Sequence, residues 1–123
     1  MNSTEAQAIA QTMVKQFGGR SSMVMIGGQV NSYGVNKGNS SIIESGSEGD
    51  VYVDIRFKAK SAKINGKSPN ALRIIYNVSS DTYSMVLYRI HGTNITTQYS
   101  VDMIYCDMIK SVFEDNTKLY LTL

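Results

Sequence analysis

The chain has 123 residues, of which 42% are hydrophobic and 18% charged, and its formal net charge is +2. This composition argues against intrinsic disorder and predicts one domain, residues 1–123, with enough apolar residues for a core. No apolar run approaches the roughly 20 residues of a membrane-spanning helix, and the first residues lack the pattern of a signal peptide. With Cys106 as the single cysteine, no internal disulfide can form, so we expect a cytoplasmic protein.

An amphipathic helix is predicted at the start of the chain. Apolar residues follow i, i+3, i+4 spacing from Ala6 to Phe17, which places them on one face of three helical turns. Gly18 and Gly19 end this helix, because glycine readily takes the left-handed conformation that follows a helix. We expect the apolar face to pack on a sheet.

A short strand is predicted at residues 23–26, and it leaves through Gly27 and Gly28. Glycine-rich segments can bind an anion through backbone N–H groups, but no helix evidently starts after this pair, so a tight turn is the preferred interpretation. The glycines, asparagines and serines up to residue 41 favour turns or a loose hairpin. Another short strand is predicted at residues 41–45.

The clearest strand pattern covers residues 51–58. Val51, Val53, Ile55 and Phe57 alternate with Tyr52, Asp54, Arg56 and Lys58. This period of two predicts a strand with its apolar face buried and its polar face in water.

Three further strands are predicted at residues 71–78, 82–90 and 95–101, with a polar connection before the first and short turns between them. The strand at 82–90 is apolar on both faces. This pattern is typical of a central strand, or of one covered by a helix on one side and a partner on the other.

The second predicted helix covers residues 102–115. Its apolar stripe consists of Ile104, Tyr105, Met108, Ile109, Val112 and Phe113. Asp102 is a suitable N-cap, because its carboxylate can accept a hydrogen bond from an N–H of the first turn. The apolar tail, residues 119–123, is expected to pack or pair with another part of the protein.

The order of these elements predicts the fold class. The turns between strands are too short for a helical crossover, so neighbouring strands must pair antiparallel. We therefore expect an α+β fold, in which a mainly antiparallel sheet of about four to six strands packs against an N-terminal and a C-terminal helix.

Three segments of the chain form a recognisable set: VKQFGGRSSMVMIGGQV (residues 14–30), SDTYSMVLYRIHG (80–92) and DMIYCDMIKSVFEDNTKLYLTL (102–123). Together they resemble a group of small proteins found in bacteriophages, prophages and mobile elements. The chain departs from the pattern of the group at Gln29, where a lysine is usual, and at Lys118, where a glycine is usual. The resemblance implies a setting rather than a chemistry, and small proteins in that setting often bind and disable a host component.

The most uneven feature of the sequence is its charge. No acid lies between Asp54 and Asp81, yet half of the 12 lysines and arginines lie in this interval. They are Arg56, Lys58, Lys60, Lys63, Lys67 and Arg73. Tyr52 shares the predicted polar face of its strand with Arg56 and Lys58, where it could stack on a base.

Three interpretations of this basic run are open. Clustered cations attract polyanions and gain affinity by counterion release, which indicates nucleic acid or a nucleotide as the ligand. The same field also suits an acidic protein partner. Lysines at a sheet edge discourage aggregation as well, in which case the run is only a solvated face.

None of the candidate catalytic or metal-binding motifs is complete. Residues 61–68, SAKINGKS, lack the first glycine of a P-loop and are followed by Pro69 and a strand-like run rather than a helix. His91 and Cys106 would form a nucleophilic dyad only if the fold brought them together, and structural zinc needs four such ligands. We therefore expect no enzyme activity, no cofactor and no metal site.

The main hypothesis is a non-catalytic binding protein of a phage or mobile element. It would inhibit or modulate a host defence component, a protein or nucleoprotein complex, through its cationic sheet surface in the host cytoplasm. The first alternative is a nucleic-acid or nucleotide-binding protein. The second is a self-assembling virion or structural subunit, since the strand at 82–90 and the apolar tail suit a homodimer. No membrane partner is expected.

Overall fold

The computed structural model describes residues 3–35, 49–58, 69–117 and 119. Within these ranges the helices are α1 (Ser3–Phe17), α2 (Gly19–Ile26) and α3 (Ile109–Thr117), and a turn of 3-10 helix covers Cys106–Met108. The strands are β1 (Gln29–Val35), β2 (Val51–Arg56), β3 (Ala71–Asn77), β4 (Thr82–His91) and β5 (Asn94–Ile104). The strand predicted at residues 41–45, the connection at 59–68 and the tail at 120–123 lie outside the described residues.

The five strands form one open sheet in the order β1-β2-β3-β4-β5, and each neighbouring pair is antiparallel. The predicted α+β fold is confirmed, because this sheet packs against an N-terminal and a C-terminal helix. No helix in the described part of the chain is long and apolar enough to cross a bilayer.

The first helix forms where its pattern predicts it. Ala6, Ala10, Met13 and Phe17 are buried on one face of α1. The helix ends at Phe17, and Gly18 follows with φ +125°. A Cβ at Gly18 would overlap the Oγ of Ser22, so a side chain is excluded by contact as well as by backbone conformation.

The strand predicted at residues 23–26 is wrong, because these residues form the last turn of α2. Gly27 has φ +62°, and the N–H of Gly28 donates to the carbonyl of Met23 at 2.7 Å. This 6→1 hydrogen bond is the Schellman end of a helix, in which glycine takes the left-handed position. The glycine pair therefore ends a helix, whereas a short apolar run alone is compatible with either a helix or a strand.

The residues after Gly28, predicted as turns or a loose hairpin, form strand β1, which lies at the edge of the sheet among the described strands. Its sequence, QVNSYGV, is poor in strand-forming residues. Hydrogen bonding to β2 holds these residues in a strand despite their low strand propensity. A β-bulge interrupts the register between Val30 and Ser32.

The main core lies between the sheet and the helices. The predicted burial of the apolar face of β2 is confirmed, since Val51, Val53, Ile55 and Phe57 are all buried in this core. The predicted exposure of the polar face is wrong in part, because Asp54 is buried and Tyr52 half-buried. Phe113 of α3 makes edge-to-face contacts with Phe17 and Phe57, with ring centroids 4.9 and 5.5 Å apart. The first and last helices therefore meet on the same face of the sheet.

A second, smaller apolar cluster lies on the opposite face of the sheet. Ala71, Ile75, Val86 and Tyr88 are buried there, and Ile90 and Ile95 pack against them. This confirms that β4 has two apolar faces and is an interior strand between β3 and β5. Because Val86 and Tyr88 are already buried, they do not form an exposed apolar stripe.

The start of the last helix is predicted wrongly. Asp102 lies in β5 and is not an N-cap, because its Oδ1 accepts a hydrogen bond from Ser84 Oγ at 2.8 Å. Pairing of Ile104 with Tyr83 extends β5 to this point and buries Ile104. Helix α3 begins at Ile109, so only the second half of the predicted apolar stripe is helical.

Candidate binding surface

Two of the six cations in the basic run lie exposed at the end of β2. Arg56 is the last residue of the strand, and Lys58 follows one residue after the buried Phe57. The backbone N–H of Lys58 donates to the carbonyl of Ile26 at 3.0 Å, which fixes this end of β2 against the end of α2. We call Arg56 and Lys58 the cationic end of β2.

Arg73 lies on the same face of the sheet but is held by an acid. Its Nε donates to Asp54 Oδ1 at 2.7 Å, and a terminal nitrogen donates to Oδ2 at 2.8 Å. The two side chains are only 12% and 7% exposed. This bidentate geometry is the strong form of an arginine–carboxylate pair, so Arg73 is separate from the cationic end of β2.

Asp54 also accepts hydrogen bonds from the neighbouring strands. Ser32 Oγ donates to Oδ2 at 3.0 Å, and the Tyr88 hydroxyl donates to Oδ1 at 3.4 Å. One carboxylate on β2 thus receives donors from β1, β3 and β4.

Two pKa values reflect this environment. Burial lowers the pKa of Arg73, but the hydrogen bond and charge of Asp54 outweigh it, so the pKa of Arg73 is raised. Burial, together with the charge of Asp54, raises the pKa of Tyr88 to about 12. Both groups therefore keep their protons at neutral pH.

The ring of Tyr52, predicted to stack on a base, already has partners within the protein. The guanidinium carbon of Arg73 lies 4.2 Å from the ring centroid, a cation–π distance. Gly34 is the directly opposite residue on β1, and a Cβ built there would lie 3.1 Å from the Tyr52 hydroxyl. Tyr52 thus packs between its neighbours on the sheet.

The other three predicted site residues, Lys60, Lys63 and Lys67, lie outside the described residues. Their connection is fixed at both ends, because the N–H of Phe57 donates to the carbonyl of Asn70 at 2.9 Å. The chain therefore leaves and returns at one end of the sheet, beside the cationic end of β2.

The fold does not bring His91 and Cys106 together. His91 ends β4, whereas Cys106 follows Ile104, which pairs with Tyr83 near the other end of β4. Eight residues of strand separate Tyr83 from His91, which corresponds to about 26 Å. Among the described residues, no group of three histidines, cysteines or acids could hold a metal ion.

A polar pocket of about 390 Å³ lies at the end of the sheet that carries Asp50 and Asp102. Its polar groups bind one another: Asn77 Nδ2 donates to Ser84 Oγ at 2.9 Å, and Ser84 in turn donates to Asp102. Asp50 Oδ1 accepts the N–H of Val78 at 3.0 Å. These hydrogen bonds account for the polar residues of the pocket as parts of the fold, and no ligand is needed to explain them.

An apolar groove of about 390 Å³, missed at the sequence level, separates α1 from the edge strand β1. Its apolar lining comes from Ala10, Val14, Val30, Tyr33 and Val53. It could not be recognised from the sequence, because residues 29–35 were predicted only as turns or a loose hairpin and not as an edge strand beside α1. We call it the α1–β1 groove.

Comparisons of the chain with protein-family models, with curated proteins and with solved structures found no match. The function must therefore be inferred from the geometry of the chain itself.

Proposed function

We propose that this protein is a non-catalytic binding protein that docks on an acidic surface of a host component. The contact residues would be Arg56 and Lys58, with Lys60, Lys63 and Lys67 of the connection that follows. The observation that carries the proposal is the pair of exposed cations at the end of β2, next to a connection that contains three lysines and no acid.

An acidic protein surface explains the described residues better than a nucleic acid does. Nucleic-acid binding would use Tyr52 as a stacking platform and Arg73 as a phosphate contact. Tyr52 instead contacts Arg73, and Arg73 pairs with Asp54. The cationic end of β2 remains, and exposed cations of this kind suit steering toward an acidic protein.

The resemblance to phage and mobile-element proteins supplies the setting of the proposal. In that setting the partner would be a host defence protein or nucleoprotein, and binding would inhibit or modulate it in the host cytoplasm.

A charge-reversal comparison tests the proposal. Immobilised wild-type protein and the variant Arg56→Glu/Lys58→Glu are each incubated with untreated and with nuclease-treated lysate of a bacterial host, and retained proteins are identified by mass spectrometry. The matched control is Thr12→Glu/Thr96→Glu/Lys110→Glu, which changes the net charge by the same amount on α1, β5 and α3, outside the α1–β1 groove.

We expect wild type and control to retain the same acidic partner, and the β2 variant to lose it. Equal retention by all three proteins would contradict the proposed surface. A partner whose retention disappears on nuclease treatment would favour the nucleic-acid alternative.

A further inference from the structure

The α1–β1 groove exists because the helix layer stops short of the sheet edge. Val30 and Tyr33 pair with Ile55 and Val53, both buried, so they lie on the helix-facing side of the sheet. Their side chains are nevertheless 40% and 47% exposed. The apolar face of the sheet therefore continues beyond α1 and reaches solvent at β1.

The edge of β1 beside this groove is open in the described part of the chain. β1 is the first strand of the sheet, and β2 is its only hydrogen-bonded neighbour among the described strands. An edge strand presents backbone N–H and C=O groups to which an extended peptide can add as a further strand. Alternate side chains of such a peptide would point toward the groove.

The charge of the groove selects among possible peptides. Lys15 and Arg20 are exposed residues of its lining, and no acid lines it within the described residues. Neither cation forms an ion pair with a described acid. An apolar floor with a cationic rim is complementary to a segment that carries both apolar and acidic side chains.

We propose that the α1–β1 groove binds an extended protein segment that adds to the edge of β1 and carries both apolar and acidic side chains on its groove-facing positions, which are every second residue. Apolar side chains of the segment fill the space between Val14 and Tyr33, and its carboxylates face Lys15 and Arg20. β1 itself contains no acid, so pairing with β1 of a second copy would not place a carboxylate of that strand opposite Lys15 and Arg20, and the charge favours a different partner. This site is separate from the cationic end of β2 and does not depend on it.

A peptide selection tests the inference with the full chain. Random 12-residue peptides displayed on phage are selected on wild-type protein and, in parallel, on Lys15→Glu/Arg20→Glu. Both substituted residues are exposed, so the variant should fold. The control is Arg56→Glu/Lys58→Glu, with the same change of net charge at the other surface.

We expect wild type and control to enrich peptides in which apolar and acidic residues lie two positions apart, on the same face of an extended strand. Reversal of Lys15 and Arg20 should weaken binding of these peptides about tenfold or more and should enrich basic peptides instead. On wild type, a bound peptide should slow amide hydrogen exchange in β1.

Four results would overturn the inference. They are a selection that enriches no peptide, peptides whose affinity is unchanged by the Lys15→Glu/Arg20→Glu variant, slowed exchange that excludes β1, and a wild-type dimer in sedimentation that the same variant dissociates. The control variant distinguishes the two sites. If only Arg56→Glu/Lys58→Glu loses peptide binding, the peptides bind at the cationic end of β2 and not in the α1–β1 groove.

Discussion

Arg73 and Arg56 are both arginines on the same face of adjacent strands, yet their environments differ completely. Arg73 is largely buried and makes a bidentate pair with Asp54, whereas Arg56 is exposed at the end of β2. In the sequence both belong to one acid-free basic run. The difference teaches that the acid nearest in space, not the nearest in sequence, decides whether a cation serves the fold or is available to a partner.

The largest expected effect comes from removing the internal cation. Arg73→Ala should lower the free energy of unfolding by about 3–5 kcal/mol, because Asp54 is left as an unpaired charge in a largely buried site. Urea denaturation measures the loss, and Arg56→Ala is the matched control, expected to stay within about 0.5 kcal/mol of wild type. Equal losses in the two variants would remove the distinction between the two arginines.

A double variant sharpens the same point. Asp54→Asn/Arg73→Met removes both charges and keeps similar side-chain volumes. It should be more stable than Arg73→Ala in urea denaturation, since no unpaired charge remains. A double variant less stable than the single one would show that the ion pair itself, rather than the unpaired acid, dominates the effect.

Tyr52 should show the next largest effect. Tyr52→Ala removes the ring that contacts Arg73 and Gly34 and should cost about 1–2 kcal/mol of stability, whereas Tyr52→Phe keeps the ring and should lose less. Thermal unfolding measures both. If the alanine variant is as stable as the phenylalanine variant, the ring is not held by the sheet and could serve a ligand.

The Tyr88 hydroxyl donates to Asp54 of the internal ion pair, so ionisation of Tyr88 at alkaline pH should lower the stability of the fold. Its folded pKa of about 12 exceeds the usual value of 10, so its stabilising contribution is complete below pH 10 and is lost as the pH rises through 12. Tyr88→Phe should lose about 1 kcal/mol at pH 7, the typical net contribution of a hydrogen bond. The stability difference between wild type and variant should be constant from pH 7 to 9 and fall from pH 10 to 12; a flat difference over that range would contradict the raised pKa.

The smallest effect on stability is expected at the cationic end of β2. Arg56→Glu/Lys58→Glu should change the free energy of unfolding by less than about 0.5 kcal/mol, as is usual for exposed side chains. Urea denaturation also shows whether the variant used in the binding test is folded. A loss comparable to that of Arg73→Ala would mean that these cations are part of the fold.

The sheet was predictable from the sequence where side chains alternate. The strands β2, β3 and β4 follow from period-two patterns, and the two apolar faces of β4 correspond to two clusters on opposite sides of the sheet. For β3, β4 and β5 the antiparallel pairing follows from turns of four and two residues, which are too short for a helical crossover.

The errors occur where tertiary contacts override a local pattern. The residues of β1 have little strand propensity and are recruited by β2, and pairing with Tyr83 keeps Ile104 in a strand instead of a helix. Propensity cannot reveal either partner. The glycine pair after Ile26 did carry a usable signal, since it matches the end of a helix as well as a turn.

The candidate sites also differ in how far the sequence could predict them. The exposure of Arg56 and Lys58 follows from the alternation of β2, but the capture of Arg73 by Asp54 depends on the register between β2 and β3. The α1–β1 groove exists because the helix layer does not reach the edge of the sheet, and no local sequence pattern encodes how far the helices extend across it.

The contact between Phe17 and Phe113 has a consequence for the order of assembly. Consecutive strands are neighbours throughout the sheet, and the turns from β3 to β4 and from β4 to β5 have only four and two residues, so these hairpins close at small entropic cost. The aromatic contact instead joins residues near the two ends of the chain. We expect the meander to form first and the terminal helices to dock last, so a shortened or stalled chain would hold its strands without closing its core.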